Sequence, residues 1–273
     1  GLTGEDGITV SDALRTLNTD ILAGNGPDLL LLDGMSVDTY REQGLLADLS
    51  ALVEELSESE GLLENITDTY RTEDGVWAVP GRFTIPVLVG ESDVIRQVES
   101  LEDLKNLLLQ PDAGKPAIGP TDAAGLAEAL YPVCAGSWRK EDGTIDSEKL
   151  SEYVSLVKEA YDVQMANLVS AYGQEYMDEY KAGIRDYFYS NSTLNWDGDF
   201  LYGMIGLLQG EFQMKLGQIT TYFSTSEIAT VNSQTGNCSY IPMPGQESGV
   251  FVPSNIYGVV STSDRQEEAM DFI

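Results

Sequence analysis

The sequence predicts an α/β protein of two domains, and three observations predict it. Leu29 to Leu32 is an unbroken apolar run, too short for a helix. A strand apolar on both faces belongs inside a parallel sheet with helices on each side. Helical and strand-like segments then take turns along the chain, as with the amphipathic Ser147–Gln164 and the β-branched Gln218–Ser224. Finally, 273 residues are enough for a large core and favour two domains over one.

The first element is a helix. Leu14, Leu17, Ile21 and Leu22 recur at helical spacing, Ser11 and Asp12 suit its start, and Gly24 suits its left-handed end. Asn25-Gly26-Pro27 is turn chemistry. The strand Leu29–Leu32 follows and stops at Asp33-Gly34. Ligands of open α/β sheets bind just beyond the carboxyl ends of strands, so the loop Asp33, Gly34, Met35, Ser36 is the first candidate site. The structural alternative is that Asp33 caps the next helix. Ser50 to Leu63 reads as an amphipathic helix with an acidic outer face. A short strand, Val76 to Val79, is opened by Asp74-Gly75 and closed by Pro80.

This first stretch carries a family resemblance. AGNGPDLLLLDG, then Tyr40, then GLLADLS resembles the first lobe of the extracellular solute-binding proteins of ABC importers, in the family-1 branch that includes the maltose-binding proteins. DGVWAVPGRFTIPVLVG continues it, and is similar to the strand that leaves lobe one and crosses to lobe two. The Pro-x-Pro-Gly turn of YIPMPG and the segment VPSNIYGVVSTSDRQEEAMDFI are similar to the return. The resemblance implies a type II periplasmic-binding-protein-like fold, two α/β lobes with a hinge and an interdomain cleft. Lobe one is expected at residues 1–84 plus 253–273, lobe two at 85–252. It implies that Arg82, Phe83 and Thr84 line the cleft, with Asn255 and Tyr257 as secondary members. A structural reading instead puts Trp77 and Phe83 in the core. Arg82, in an otherwise apolar crossing, calls for a carboxylate partner or a ligand oxygen. Relatives begin with a strand before residue 1 and continue past residue 273, so the resemblance implies a chain truncated at both ends.

The middle of the chain predicts lobe two. Ser100-Leu-Glu-Asp103 starts a helix over Leu101–Leu109. Ala117-Ile118-Gly119 reads as a short strand ending at Pro120-Thr121-Asp122, where Asp122 is expected to cap the helix AAGLAEALYPVCAG. Leu150, Val154, Val157 and Tyr161 form the stripe of the helix Ser147–Gln164. A second helix, Met165–Phe188, carries Tyr172, Tyr176 and Tyr180 on one face, read as packing. Asn191 to Asp199 is a loop by composition. It places Trp196 beside Asn195, Asp197 and Asp199, and a flat ring beside polar groups is what a sugar needs. Its alternative role is to cap a helix end, and the acids lack the spacing of a calcium loop. Phe200–Gln213 reads as a helix. In relatives the following strand brings an aromatic into the cleft, and Tyr222 occupies that place, although the family's Met-x-x-x-Gly-x-Trp pattern is not reproduced.

Composition limits the function. Fifteen basic residues against 45 acidic give a net charge of −30, a field that repels nucleic acid and anionic membrane surfaces. The absence of histidine removes the commonest general base and metal ligand. Cys134 and Cys238 are either one disulfide or two buried thiols. No nucleophile–His–acid set exists, no Walker A motif and no dinucleotide glycine fingerprint, so no enzyme activity and no cofactor are expected. The resemblance implies a solute-binding component that captures a mono- or oligosaccharide by hinge closure and delivers it to the membrane permease of an ABC importer. It implies a monomer outside the cytoplasmic membrane, at the cell surface on a lipid anchor or in the periplasm. The alternatives are a carbohydrate-processing enzyme with paired carboxylates and a ligand-sensing ectodomain.

Overall fold

The computed structural model describes residues 9–111, 114–140, 144–190, 198–219, 222–245 and 250–273, with the backbone alone at 10, 180–190, 198–203, 222 and 223. In chain order the elements are α1 (Val10–Leu22), β1 (Leu29–Leu31), α2 (Val37–Glu42), α3 (Ser50–Glu60), α4 (Glu64–Thr67), β2 (Arg71–Thr72), β3 (Gly75–Val76) and β4 (Val79–Gly90). Next come α5 (Ser92–Ile95), α6 (Leu101–Leu108), α7 (Ala123–Cys134), α8 (Ser147–Ser190), α9 (Gly198–Gln209) and β5 (Met214–Ile219). The last are α10 (Tyr222–Thr235), β6 (Ser239–Pro242), β7 (Val252–Val259) and α11 (Gln266–Phe272). The chain forms two compact units. Unit 1 is Gly1–Phe83 with Pro253–Ile273, and unit 2 is Thr84–Val252.

Unit 1 is built around β7, which lies between β1 and β4. β1 pairs with it antiparallel, Leu29 opposite Val259 and Leu31 opposite Tyr257. The expectation of a parallel partner for Leu29–Leu32 is therefore corrected. The run is also not buried on both faces. Leu30 and Leu32 enter a core with Ile21, Val37, Tyr40 and Ile256, while Leu31 is 56% exposed. Gly258 lets the layers meet, since a Cβ there would lie 2.8 Å from Leu32 Cδ1. α1 starts two residues before the expected point. Thr9 is its cap, accepting from Asp12 N–H, while the Asp12 carboxylate takes the Thr9 N–H in return. Pro80 does not close a strand; it lies inside β4.

Unit 2 places β5 and β6 against the later part of β4, both antiparallel. Gly90 is required by this packing, because a Cβ would sit 2.4 Å from the Gln213 carbonyl oxygen. Ser100 caps α6 and Asp122 caps α7, as their spacing predicts. Ala117–Gly119 is no full strand; it makes a single parallel bridge from Ile118 to Met214. Its free N–H groups are met from α8. The fully buried Gln164 accepts from Ala117 N at 2.9 Å and Ile118 N at 3.4 Å, and donates to Leu108 O at 2.7 Å. Here a side-chain amide takes the backbone N–H groups that a neighbouring strand would otherwise pair.

α8 does not divide at residue 164. Its helical path breaks at Gly173, where φ is +85°. Val157 of the expected stripe is buried, with Leu156, Ala160 and Leu168 beside it, whereas Val154 is exposed. Gln218–Ser224 is corrected as well: β5 ends at Ile219, and Tyr222 is the first residue of α10. Trp138 fills the unit 2 core between Tyr131 and Tyr153. Cys134 and Cys238 are both buried free thiols, and burial raises the pKa of each.

Candidate functional site

In unit 1 the end of β1 turns out where the sequence places it, but Asp33 neither caps α2 nor stands free. Ser36 is the cap, accepting from the Thr39 N–H at 3.2 Å. Asp33 instead reaches β7: Oδ1 accepts from Asn255 N–H at 2.8 Å and Oδ2 from Ile256 N–H at 2.9 Å. Asn255 has φ +51°, alone among the described non-glycine residues in being positive. Met35 is half-buried against the core that holds Tyr40 and Ile256. Tyr257 packs its ring edge-on to Phe272, with centroids 6.3 Å apart, and lies over Gly81, where a Cβ would come 2.7 Å from its Cε2.

Sequence reasoning missed Tyr70 in this neighbourhood. Burial, and then the negative charges of Asp33 and Asp38, push its phenol above the usual range. The only signal in the sequence is its place before the hairpin at residues 71–76. Trp77 is half-buried in the same core and donates from Nε1 to Thr72 Oγ1 at 2.9 Å.

Of the crossing residues, Arg82 is exposed on β4, and no carboxylate pairs with it among the described residues. Phe83 is half-buried. In unit 2, Thr84 donates from Oγ1 to Gln218 Oε1 at 2.7 Å. Trp196 and Asp197 lie outside the described residues, as does the side chain of Tyr222.

Unit 2 also holds a pocket of about 60 Å³ that the sequence did not reveal. Ile118, Thr121 and Leu126 form one side, and Phe212, Lys215 and Leu216 the other. About 15 Å³ admits one water, so the space holds a few waters or a short substituent such as a hydroxymethyl group. Its walls are fixed from α8. Gln164 holds the strand before Gly119, while the hydroxyls of Tyr172 and Tyr176 donate to the backbone and side chain of Glu211, beside Phe212. The Phe212 ring fits because Gly119 and Gly206 face it; a Cβ would meet its Cε1 at 2.5 Å and 2.2 Å respectively.

No protein-family model matches the chain, and no curated protein matches its sequence. Solved structures match its fold. An ABC-transporter solute-binding protein from Agrobacterium radiobacter K84, in complex with ribitol, superposes with a TM-score of 0.52 at 14% identity, covering 97% of this chain and 66% of that one. The fold is that of an ABC-transporter solute-binding protein. A family 1 extracellular solute-binding protein from Alicyclobacillus acidocaldarius is similar at TM-score 0.48 and 13% identity, covering 96% of this chain and 63% of its own. A sugar transporter structure from Arthrobacter chlorophenolicus A6 with bound laminaribiose is similar at 0.47 and 17%, covering 94% and 63%. The chain spans between 63% and 66% of the length of these three structures. The mixed α/β units described above, each with helices against an antiparallel-paired sheet, are this fold's elements in this sequence.

Proposed function

We propose that this chain captures a small polyhydroxylated solute, a mono- or oligosaccharide or a related polyol, and delivers it to the membrane permease of an ABC importer. The observation that carries this reading is the shared fold with a solute-binding protein whose complex contains ribitol. The chain changes unit twice, at Phe83–Thr84 in β4 and at Val252–Pro253 in β7, and hinge closure at these two crossings is the proposed mechanism. The proposed contacts in unit 1 are Ser36, Arg82, Asn255 and Tyr257. Thr84 is the proposed contact from unit 2, and Trp196, Asp197 and Tyr222 join it on the sequence argument. The protein acts outside the cytoplasmic membrane, as a cell-surface lipoprotein or in the periplasm, and binds without chemistry.

A micromolar complex corresponds to about 8 kcal/mol, within reach of one stacked ring and several hydrogen bonds. The test is a thermal-shift and calorimetric screen with ribitol, laminaribiose, chitin oligosaccharides and xylo-oligosaccharides, with amino acids and polyamines as controls. At least one sugar or polyol should raise the melting temperature and be recovered intact by chromatography. Binding confined to the controls, or release of shortened products, overturns the reading. Trp196→Ala should weaken the binding of a hit by about 1–3 kcal/mol. Unchanged binding in that variant removes Trp196 from the site.

A further inference from the structure

Along an extended strand, successive N–H groups point to opposite sides. At Asn255 and Ile256 they do not: both donate to one carboxylate, that of Asp33, at 2.8 and 2.9 Å. Two consecutive N–H groups converge on an anion when the backbone between them leaves the strand region, and Asn255 does so at φ +51°. The left-handed turn and the carboxylate are thus two halves of one feature. The regular ladder between β1 and β7 ends just before it, where Leu32 N–H donates to Ile256 O at 2.7 Å. Beyond that bond the chain of β1 has left the sheet, and the Asp33 side chain continues the pairing.

The surroundings fit the same local shape. Gly81 of β4 faces it without a side chain; a Cβ there would lie 3.4 Å from the Asn255 carbonyl oxygen as well as against the Tyr257 ring. Asparagine tolerates positive φ better than other side chains, and glycine better still. Asp33 spends one lone pair of each oxygen on the backbone, whereas the Asn255 carboxamide has both donors and an acceptor to offer a hydroxyl.

We propose that Asp33 is a positioning residue: it holds Asn255 in the left-handed turn, and Asn255, not Asp33, offers its side chain to the solute. This rests on the solute-binding reading above and goes beyond it by dividing roles between two residues of unit 1. Asn255→Gly keeps a backbone that suits the turn and removes the carboxamide. Asp33→Ala removes the clamp and leaves the carboxamide. Asp33→Asn keeps one acceptor oxygen, and serves if the alanine variant folds poorly.

The test uses the full chain and two readouts. In amide hydrogen exchange, Asp33→Ala should speed exchange at Asn255 and Ile256 at least tenfold, with Asp33→Asn intermediate and the amide of Leu32 little changed. Asn255→Gly should leave the Ile256 amide protected. In calorimetry with ribitol, Asn255→Gly and Asp33→Ala should each weaken binding at least tenfold, and the double variant should be no weaker than the weaker single one. Unchanged exchange at Asn255 and Ile256 in Asp33→Ala overturns the clamp. Full ribitol affinity in Asn255→Gly, with loss in Asp33→Ala, makes Asp33 itself the contact and overturns the division of roles. A wild-type chain that does not bind ribitol overturns that solute and Asn255's part in holding it, while the clamp stands or falls on the exchange data.

Discussion

Two side chains show how burial and hydrogen bonding set charge in this protein. At Asp48, burial works to raise the carboxyl pKa. Hydrogen bonds from Ser50 Oγ at 2.7 Å and from the N–H groups of Ser50 and Val76, each at 3.0 Å, outweigh it with help from Arg71, and the net shift is downward. A carboxylate with a depressed folded pKa adds stability above its unfolded value of about 3.9 and loses it as pH falls through the folded value. Asp48→Asn should therefore lower the melting temperature at neutral pH, and the gap from wild type should shrink in scans taken progressively below about pH 4. Tyr153 lies at the other extreme. Burial, then the neighbouring Cys134 and Tyr131, push its phenol up to about 12 while it donates to Ala127 O at 2.6 Å. Its folded pKa is raised, so its contribution is complete below the unfolded value of about 10 and disappears as pH rises towards 12. In an alkaline absorbance titration, Tyr153→Phe should remove a late-ionising tyrosine and leave the early ones.

Among the elements, glycine contacts make the sharpest expectations. Gly119→Ala and Gly206→Ala each drive a methyl into a Phe212 ring that is 1% exposed and has little room to move. Each should cost about 1–3 kcal/mol in chemical denaturation, despite alanine's better helix propensity at Gly206. In a Phe212→Ala background the cost of Gly119→Ala should largely vanish, the mark of a direct contact. These contacts also show what the sequence can and cannot reveal. Ser100 and Asp122 announced their helices because a cap is a local interaction between residues three apart. The strand at Leu29 was legible from its apolar run, yet its partner was not, since a residue far along the chain decides whether pairing is antiparallel. Tyr222 follows the same logic. A β-branched stretch read as strand to Ser224, but β5 stops at Ile219 and α10 begins at Tyr222, packing having overridden local preference. The candidate site was legible as positions, a strand end and a crossing. The Asp33–Asn255 pairing, across 222 residues, was not, and neither was a pocket shaped by two glycines and a ring.

At the scale of the whole molecule charge dominates. If every one of the 15 cations neutralised one of the 45 acids, 30 negative charges would still repel one another. The ion pairs include several at three- or four-residue helical spacing with exposed side chains, a kind worth little each. Screening therefore relieves more repulsion than attraction. The melting temperature at pH 7 should rise between about 10 mM and 1 M sodium chloride, as the Debye length falls from about 30 Å to 3 Å. A fall over that range would mean that attractive pairs outweigh the net charge.

The arrangement of unit 1 has a consequence for how the protein is made. Its middle strand, β7, is synthesised long after β1, and between the two comes all of unit 2. During translation, Leu29–Leu31 waits without its partner while β4, β5 and β6 of unit 2 are already present. Unit 2 is then the first to fold, and unit 1 closes late, after a long loop has been spanned. Until that moment the edge of Leu29–Leu31 that β7 pairs is open, and it is a segment a holding chaperone would grip.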